Sequence, residues 1–293
     1  DTILPFQIEG RDVRGRLVRL GSVVDEIVTG HDYPEGVSEL LANALTLVAL
    51  LGDALKFDGK LTLQAKGDGP VGTIVADYRT PGGLRGWARF SEDDYVEAAR
   101  DGPDSGREVP QLMGAGYLAL TIDQGPDMEL YQGVVALEGA TLAECAQKYF
   151  DDSEQLPTAI KLVAKNEESG WRAGGLMIQH LPSDDGCAEE DGSDDDWRTS
   201  AILMASVGND EIISTEISAE QVLYQLFYED GVRVSDRVHL EVFCQCSRES
   251  IGGVLDVFGP EELQDMVVEG AISVTCHFCN KSYAFDPPSE DKC

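Results

Sequence analysis

From residue 37 to residue 57, apolar side chains occupy nearly every face of the helical period: Leu40, Leu41, Ala44, Leu45, Leu47, Val48, Leu51 and Leu55. A stripe this broad predicts a helix buried on most sides, with Ser38 as its candidate N-cap and Asp58-Gly59 as its stop. Upstream, residues 13–28 mix basic and apolar positions and predict a strand running into a helix start, broken at Tyr33-Pro34-Glu35. Downstream, residues 60–66, 71–78 and 84–90 predict strands joined by a Gly-rich turn and by Pro81-Gly82-Gly83. Residues 91–110 are polar and read as an exposed loop. Strands are predicted again at 116–123, 129–137, 156–164 and 172–179, and a helix at 141–150 with Leu142, Cys145, Ala146 and Tyr149 on one face. Helix and strand segments alternate irregularly, which predicts an α+β class: a mixed helix and sheet core domain over residues 1–182.

At Pro182 the composition changes. Eight of the thirteen residues from Asp184 to Asp196 are acidic, a pattern that reads as a solvated segment, and Cys187 lies within it. Negative neighbours raise a thiol's pKa, so Cys187 is expected to be unreactive. Two helices with narrow apolar faces follow, at 197–207 and 218–228, the second with Ser218 as N-cap. Residues 183–238 hold 15 acidic and 3 basic side chains, and so small an apolar area stays folded only against a neighbour. This predicts a partly helical, acidic linker packed on the core.

The charge of the whole chain narrows the functional classes. The net charge of −32 and pI near 4.2 disfavour nucleic-acid phosphates and anionic membranes as partners. No apolar run is read as reaching the roughly 20 residues of a membrane helix, and residues 1–10 lack the basic-then-apolar layout of a secretory signal. The chain opens on Asp1 rather than on an initiator Met, as a trimmed start would. Gly67-Asp68-Gly69-Pro70-Val71-Gly72 matches a dinucleotide fingerprint literally, but a strand follows where that fingerprint needs a helix, so a hairpin turn is expected. There is no Walker motif for ATP, and none of the 4 histidines belongs to a recognisable hydrolytic triad, so no enzyme is expected.

The chemistry is concentrated in residues 239–293. Cys244-Gln245-Cys246 and Cys276-His277-Phe278-Cys279 are two tight thiol pairs separated by 29 residues. Thiolates are soft ligands, and four of them make a closed tetrahedral zinc site with a formal charge of about −2. Cys244, Cys246, Cys276 and Cys279 are therefore the expected ligands of one Zn²⁺, with His239 and His277 as bystanders. The competing reading of the same spacing is a pair of ordinary disulfides in a secreted protein. Seven cysteines, an odd number with four in metal spacing, fit a reducing, cytoplasmic compartment better. Helices are expected at 250–258 and after Pro260, the latter with Leu263, Met266 and Val267 inward, and a hairpin at 271–285 around the second pair. A module of this size rarely holds itself by its core alone, whereas structural zinc contributes on the order of 10–16 kcal/mol in small zinc peptides. Thiolates held this way are also the form that oxidants attack.

Motifs spread over nearly the whole chain resemble one family. They include Lys56-Phe57-Asp58-Gly59, Gly67-Asp68-Gly69-Pro70, Gly114-Ala115-Gly116-Tyr117-Leu118 and Tyr131-Gln132-Gly133-Val134-Val135. Further on stand Ser153-Glu154-Gln155-Leu156-Pro157-Thr158, Leu223-Tyr224-Gln225-Leu226-Phe227, Cys244-Gln245-Cys246-Ser247-Arg248 and Cys276-His277-Phe278-Cys279-Asn280. Together they are similar to the redox-regulated heat-shock chaperones of thirty-three kilodaltons, bacterial holdases. The resemblance implies a core domain, a helical linker and a C-terminal zinc redox switch. It implies inactivity when reduced and zinc-bound, and activation by the disulfides Cys244–Cys246 and Cys276–Cys279 with zinc loss and unfolding of module and linker. It further implies ATP-independent binding of unfolding client proteins under oxidative stress, and a homodimer when oxidised. The acidic run at 184–196 departs from the family in its charge.

Two other functions compete on the residues. A zinc-ribbon nucleic-acid binder is disfavoured by the 10 acidic and 3 basic residues of 239–293. A thiol-disulfide oxidoreductase needs its CxxC at a helix N-terminus, not in the hairpin expected here.

Overall fold

The computed structural model of the chain describes residues 1–55, 57–98, 108–181 and 192–287, which fall into two compact units, Asp1–Val242 and Phe243–Cys293. The first opens with β1 (Thr2–Ile8), β2 (Val13–Leu20), α1 (Ser22–Thr29) and α2 (Glu35–Ala54). It continues through β3 (Lys60–Gly67), β4 (Val71–Arg79), β5 (Gly83–Phe90), α3 (Glu92–Ala98), β6 (Gly116–Asp123), β7 (Tyr131–Ala136) and α4 (Leu142–Tyr149). Then come β8 (Thr158–Glu167), β9 (Gly170–His180), α5 (Gly192–Ser206), α6 (Asn209–Ile213), α7 (Ala219–Phe227), β10 (Val232–Val234), β11 (Val238–His239) and β12 (Glu241–Val242).

These strands form two sheets, one ordered β10-β1-β2-β9-β8 with β11 also on β1, the other β12-β5-β4-β3-β6-β7. All the pairings are antiparallel except β12 with β5. Helix α2 lies between the sheets. Its Leu40, Leu41, Leu45, Leu47 and Leu50 are fully buried, in one core with Val18 and Met177 of the first sheet and Leu61, Ile74 and Leu120 of the second. Strands with period-2 burial, such as β3, turn one face to this helix. The breadth of the apolar stripe has its cause here, because a helix covered on two sides has no face left for solvent.

The first sheet is covered on its other face as well. Leu4, Phe6, Ile8, Leu17 and Ile178 pack there against Met204, Val207, Ile212, Ile213, Val222, Leu223 and Phe227 of the α5–α7 region. Helices α5–α7 therefore lie on this sheet, as their narrow apolar stripes required. Mixed helix and sheet in this arrangement is the expected α+β class.

Several local expectations are corrected. Helix α2 begins at Glu35, with the extended Pro34 at its N-cap position, and Ser38 is buried inside it rather than capping it. Proline's fixed φ sets the chain to enter the helix directly after it. By length and composition this helix is apolar enough to cross a membrane, contrary to the expectation of no such run, and its burial between the sheets marks it as a core helix. Strand β1, which carried no expectation, is a central strand of the first sheet. Part of the expected loop at 91–110 is α3, with no buried residue. Gly67 to Val71 is the hairpin turn between β3 and β4, as expected. Cys145 is a fully buried core residue, while Cys187, Cys293 and most of the acidic run lie outside the described residues.

Candidate metal centre

The second unit contains α8 (Arg248–Leu255), α9 (Pro260–Asp265), β13 (Val267–Val268), β14 (Ala271–Thr275) and β15 (Ser282–Phe285). Its three strands form one antiparallel sheet in the order β13-β14-β15. The second cysteine pair sits in the turn that joins β14 to β15. There the Cys276 amide donates to the Lys281 carbonyl at 2.9 Å and the Asn280 amide donates to the Cys276 carbonyl at 2.9 Å. Asn280 takes a left-handed conformation with φ of 54°, a region that asparagine tolerates better than most side chains. The first pair precedes α8, whose N-cap Ser247 accepts from the Ser250 amide at 3.0 Å.

These turns bring all four thiols together. Cys244, Cys246, Cys276 and Cys279 offer sulfurs that all lie within 4.8 Å of one another. The Sγ separations are 3.2 Å for Cys244–Cys246, 3.3 Å for Cys246–Cys279 and 3.7 Å for Cys244–Cys276. A tetrahedron with zinc–sulfur bonds of about 2.3 Å has edges of about 3.8 Å. The donor set therefore fits a four-coordinate soft cation, and the four sulfurs could hold a metal. His277 is exposed and His239 pairs with Thr2 in the first unit, so neither joins this group.

The thiols are not equivalent. Burial acts to raise the Cys246 thiol, but hydrogen bonds from Tyr283 and the other three sulfurs outweigh it and bring it down to about 7. The Tyr283 hydroxyl lies 3.3 Å from Cys246 Sγ. Burial pushes Cys279 up to about 12, with the neighbouring sulfurs adding to it, and burial likewise raises Cys244.

Around the thiols there is almost no core. Ile272 is the one buried hydrophobic residue among the described residues of this unit. Leu263 and Val267 are half-buried, and Met266, expected to point inward, is exposed. Arg248 lies over the Phe285 ring at 4.7 Å and donates to the Ala284 carbonyl, which ties α8 to β15. So little apolar burial cannot order a module of this size, and a metal held by four sulfurs is the term that can.

Sequence reasoning missed the cations that seat α5–α7 on the first sheet. Arg11 pairs with Asp230 at 2.8 Å and donates to Ser200 Oγ at 3.1 Å. Arg19 donates to the carbonyls of Glu211, Ile212 and Ile217, and Lys161 to that of Val207. For Arg19 the signal was the mixing of basic with apolar positions along residues 13–28: with period 2 on β2, Arg19 shares the face of Leu17, which packs on α5–α7; Arg11 and Lys161 carried no such signal.

A family model described as Hsp33 protein matches residues 1–286. A protein of Caulobacter vibrioides named 33 kDa chaperonin is 45% identical over 98% of this chain and 95% of its own. One of Aliivibrio salmonicida with the same name is 40% identical over 98% of this chain and 92% of its own. Among solved structures, the 33 kDa chaperonin of Thermotoga maritima shares the fold with a TM-score of 0.80 at 24% identity, over 98% of this chain and 95% of that one.

Proposed function

The chain belongs to the Hsp33 family, and on that premise we propose that it is an ATP-independent chaperone switched on by oxidation. The single observation that carries this reading is a four-thiol cluster set in a module with one buried hydrophobic residue among its described residues. Cys244, Cys246, Cys276 and Cys279 would hold one Zn²⁺ in the reduced, inactive protein. Zinc supplies a crosslink between the stretch before α8 and the β14–β15 turn. The module, residues 239–293, is thus one functional part, the linker 183–238 a second and the core 1–182 a third.

Oxidation removes the ligand set. Each pair of thiolates would give up two electrons to hydrogen peroxide, which takes two protons from solvent and leaves as two waters as the disulfide forms. The resemblance to the family assigns the pairs Cys244–Cys246 and Cys276–Cys279. The sulfur separations favour neither that pairing nor one across the turns, since 3.2 Å and 3.3 Å are alike. Without its crosslink the module loses order, the linker helices follow, and the sheet face now under α5–α7 opens to unfolding client proteins. The oxidised form acts as a homodimer in the cytoplasm, where thiols start reduced. The position of Cys276 and Cys279 in a hairpin turn, not at a helix N-terminus, speaks against an oxidoreductase. The acidic surface speaks against a nucleic-acid ribbon.

An aggregation assay with a thermally unfolded client tests the reading. Peroxide-treated protein should suppress light scattering without ATP, and the reduced, zinc-loaded protein should not. Equal suppression by both forms would overturn the redox switch.

A further inference from the structure

The face of the first sheet that carries α2 continues past the end of that helix. There the register aligns Arg233 of β10, Gln7 of β1, Arg14 of β2, Gln179 of β9 and Thr158 of β8 in one row across five strands. Two atoms of this row are buried without a hydrogen-bond partner among the described residues, the Nε–H of Arg14 and the Oε1 of Gln179. Buried polar atoms are nearly always paired, so an orphaned cationic donor calls for an acceptor. Burial and then the charge of Arg16 bear on Arg14, and both depress its pKa, as expected of a guanidinium that lacks a counter-ion.

Arg14 lines a cleft of about 380 Å³ together with Arg16, Arg233, Gln7 and Ser235, and no carboxylate lines it among the described residues. The chain has 54 acidic and 22 basic residues, so three arginines in one cleft, with no acid among its described lining residues, run against its composition. Arg16 is neutralised by Asp53 at 2.6 Å. Arg233 donates only to the neutral Gln7 Oε1, at 2.7 Å. Arg14 and the exposed Arg233 are thus left without a carboxylate among the described residues. Their planar forks match the oxygens of a tetrahedral oxyanion, and two positive charges match a phosphoryl dianion better than a single carboxylate.

We propose that this cleft, built by Arg14, Arg233 and the flanking Gln7 and Ser235, is a binding site for a phosphoryl oxyanion. It lies on the face of the first sheet opposite the one that α5–α7 cover. The anion pairs with the guanidinium of Arg14, whose Nε has no partner among the described residues, and with that of Arg233.

The test uses the full chain, reduced and zinc-loaded, with inorganic phosphate against chloride at matched ionic strength. Arginine Nε–H resonances are followed by ¹⁵N NMR and assigned with Arg14→Met and Arg233→Met. The Arg14 and Arg233 signals should shift saturably, with the midpoint moved on the order of tenfold by loss of either arginine. Phosphate should raise the thermal midpoint of the wild type and of Arg89→Met, an exposed change in the other sheet, but not of the double variant. A pyrophosphate arm separates sources: tighter binding assigns the cleft to a linked phosphoryl group, equal binding to free phosphate. An unmoved Arg14 signal in the wild type, which needs no variant to fold, would overturn the proposal. So would equal stabilisation of the double variant.

Discussion

Arg19 of β2 donates through Nη1 to the carbonyl of Ile217 at 2.6 Å, and this one side chain also donates through Nε to Ile212 at 2.7 Å and through Nη2 to Glu211 at 2.8 Å. Three linker carbonyls at and beyond the end of α6 are thus satisfied by a cation that belongs to the core. The linker carries a net negative charge, and self-repulsion alone would loosen it. Arg11, in the turn between β1 and β2, and Arg19 of β2 oppose that tendency at two separate places.

Arg19→Met should therefore weaken linker docking by about 1.5–3 kcal/mol, the range for hydrogen bonds to a charged group. Hydrogen exchange should quicken across α6 and α7 while α2 keeps its protection. The variant should also need less heat to activate once oxidised. A uniform loss of protection that includes α2 would mean Arg19 supports the whole fold instead.

The thiol cluster predicts a stoichiometry. The reduced protein should bind one zinc per chain, and Cys246→Ser or Cys279→Ser should lose tight binding, because each removes one corner of a four-sulfur set. Metal analysis after dialysis measures this. Stoichiometric, tightly held zinc in either variant would refute the four-cysteine site. Chelation of the wild type should unfold residues 243–287 while leaving the two large sheets intact, since the second unit has one buried hydrophobic residue among those described.

Cys145 is predicted to be inert. Burial, then Glu144 and Glu108, pushes its thiol up to about 11. Iodoacetamide at pH 8 should leave it unmodified in the folded protein, where the same reagent labels it after denaturation. A variant with Ser at Cys145, Cys187 and Cys293 together should still lose zinc and gain chaperone activity on oxidation. Failure to gain activity would assign one of these three a part in the switch.

Glu108 gives a pH dependence. Burial raises its carboxyl above the ordinary value of 4.5, with backbone hydrogen bonds opposing and Glu144 adding to the rise. The fold therefore favours the neutral form. That contribution to stability is fully present below the unfolded value and is lost as pH rises through the folded one. Glu108→Gln should raise the thermal midpoint at pH 7, and the advantage should vanish below about pH 4.5, where the wild-type carboxyl is itself neutral. An advantage that persisted unchanged into acid would mean the gain is not electrostatic.

The cysteine spacing was enough to pick out Cys244, Cys246, Cys276 and Cys279, because ligand type and spacing are local properties of a chain. The α2 stripe and the strands from β3 to β9 were visible for the same reason, since periodicity of 3.6 or 2 is written within each segment. Helix boundaries failed where a neighbour outweighed propensity. At Ser38 the cap position was taken by Pro34, and the serine went into the core. At Met266 an apolar residue found no core to enter.

What the sequence determined by itself was therefore the class of fold, the thiol set and the acidic, thinly apolar linker. Only the tertiary structure decided that α2 lies between two sheets, that four thiols from distant turns meet within 4.8 Å, and that Arg19 holds Glu211, Ile212 and Ile217. It alone left Arg14 with a buried, unanswered donor. The reason is physical: periodicity and ligand chemistry belong to single segments, but the partner of a buried guanidinium is set by strand register and by which face of a sheet another element covers.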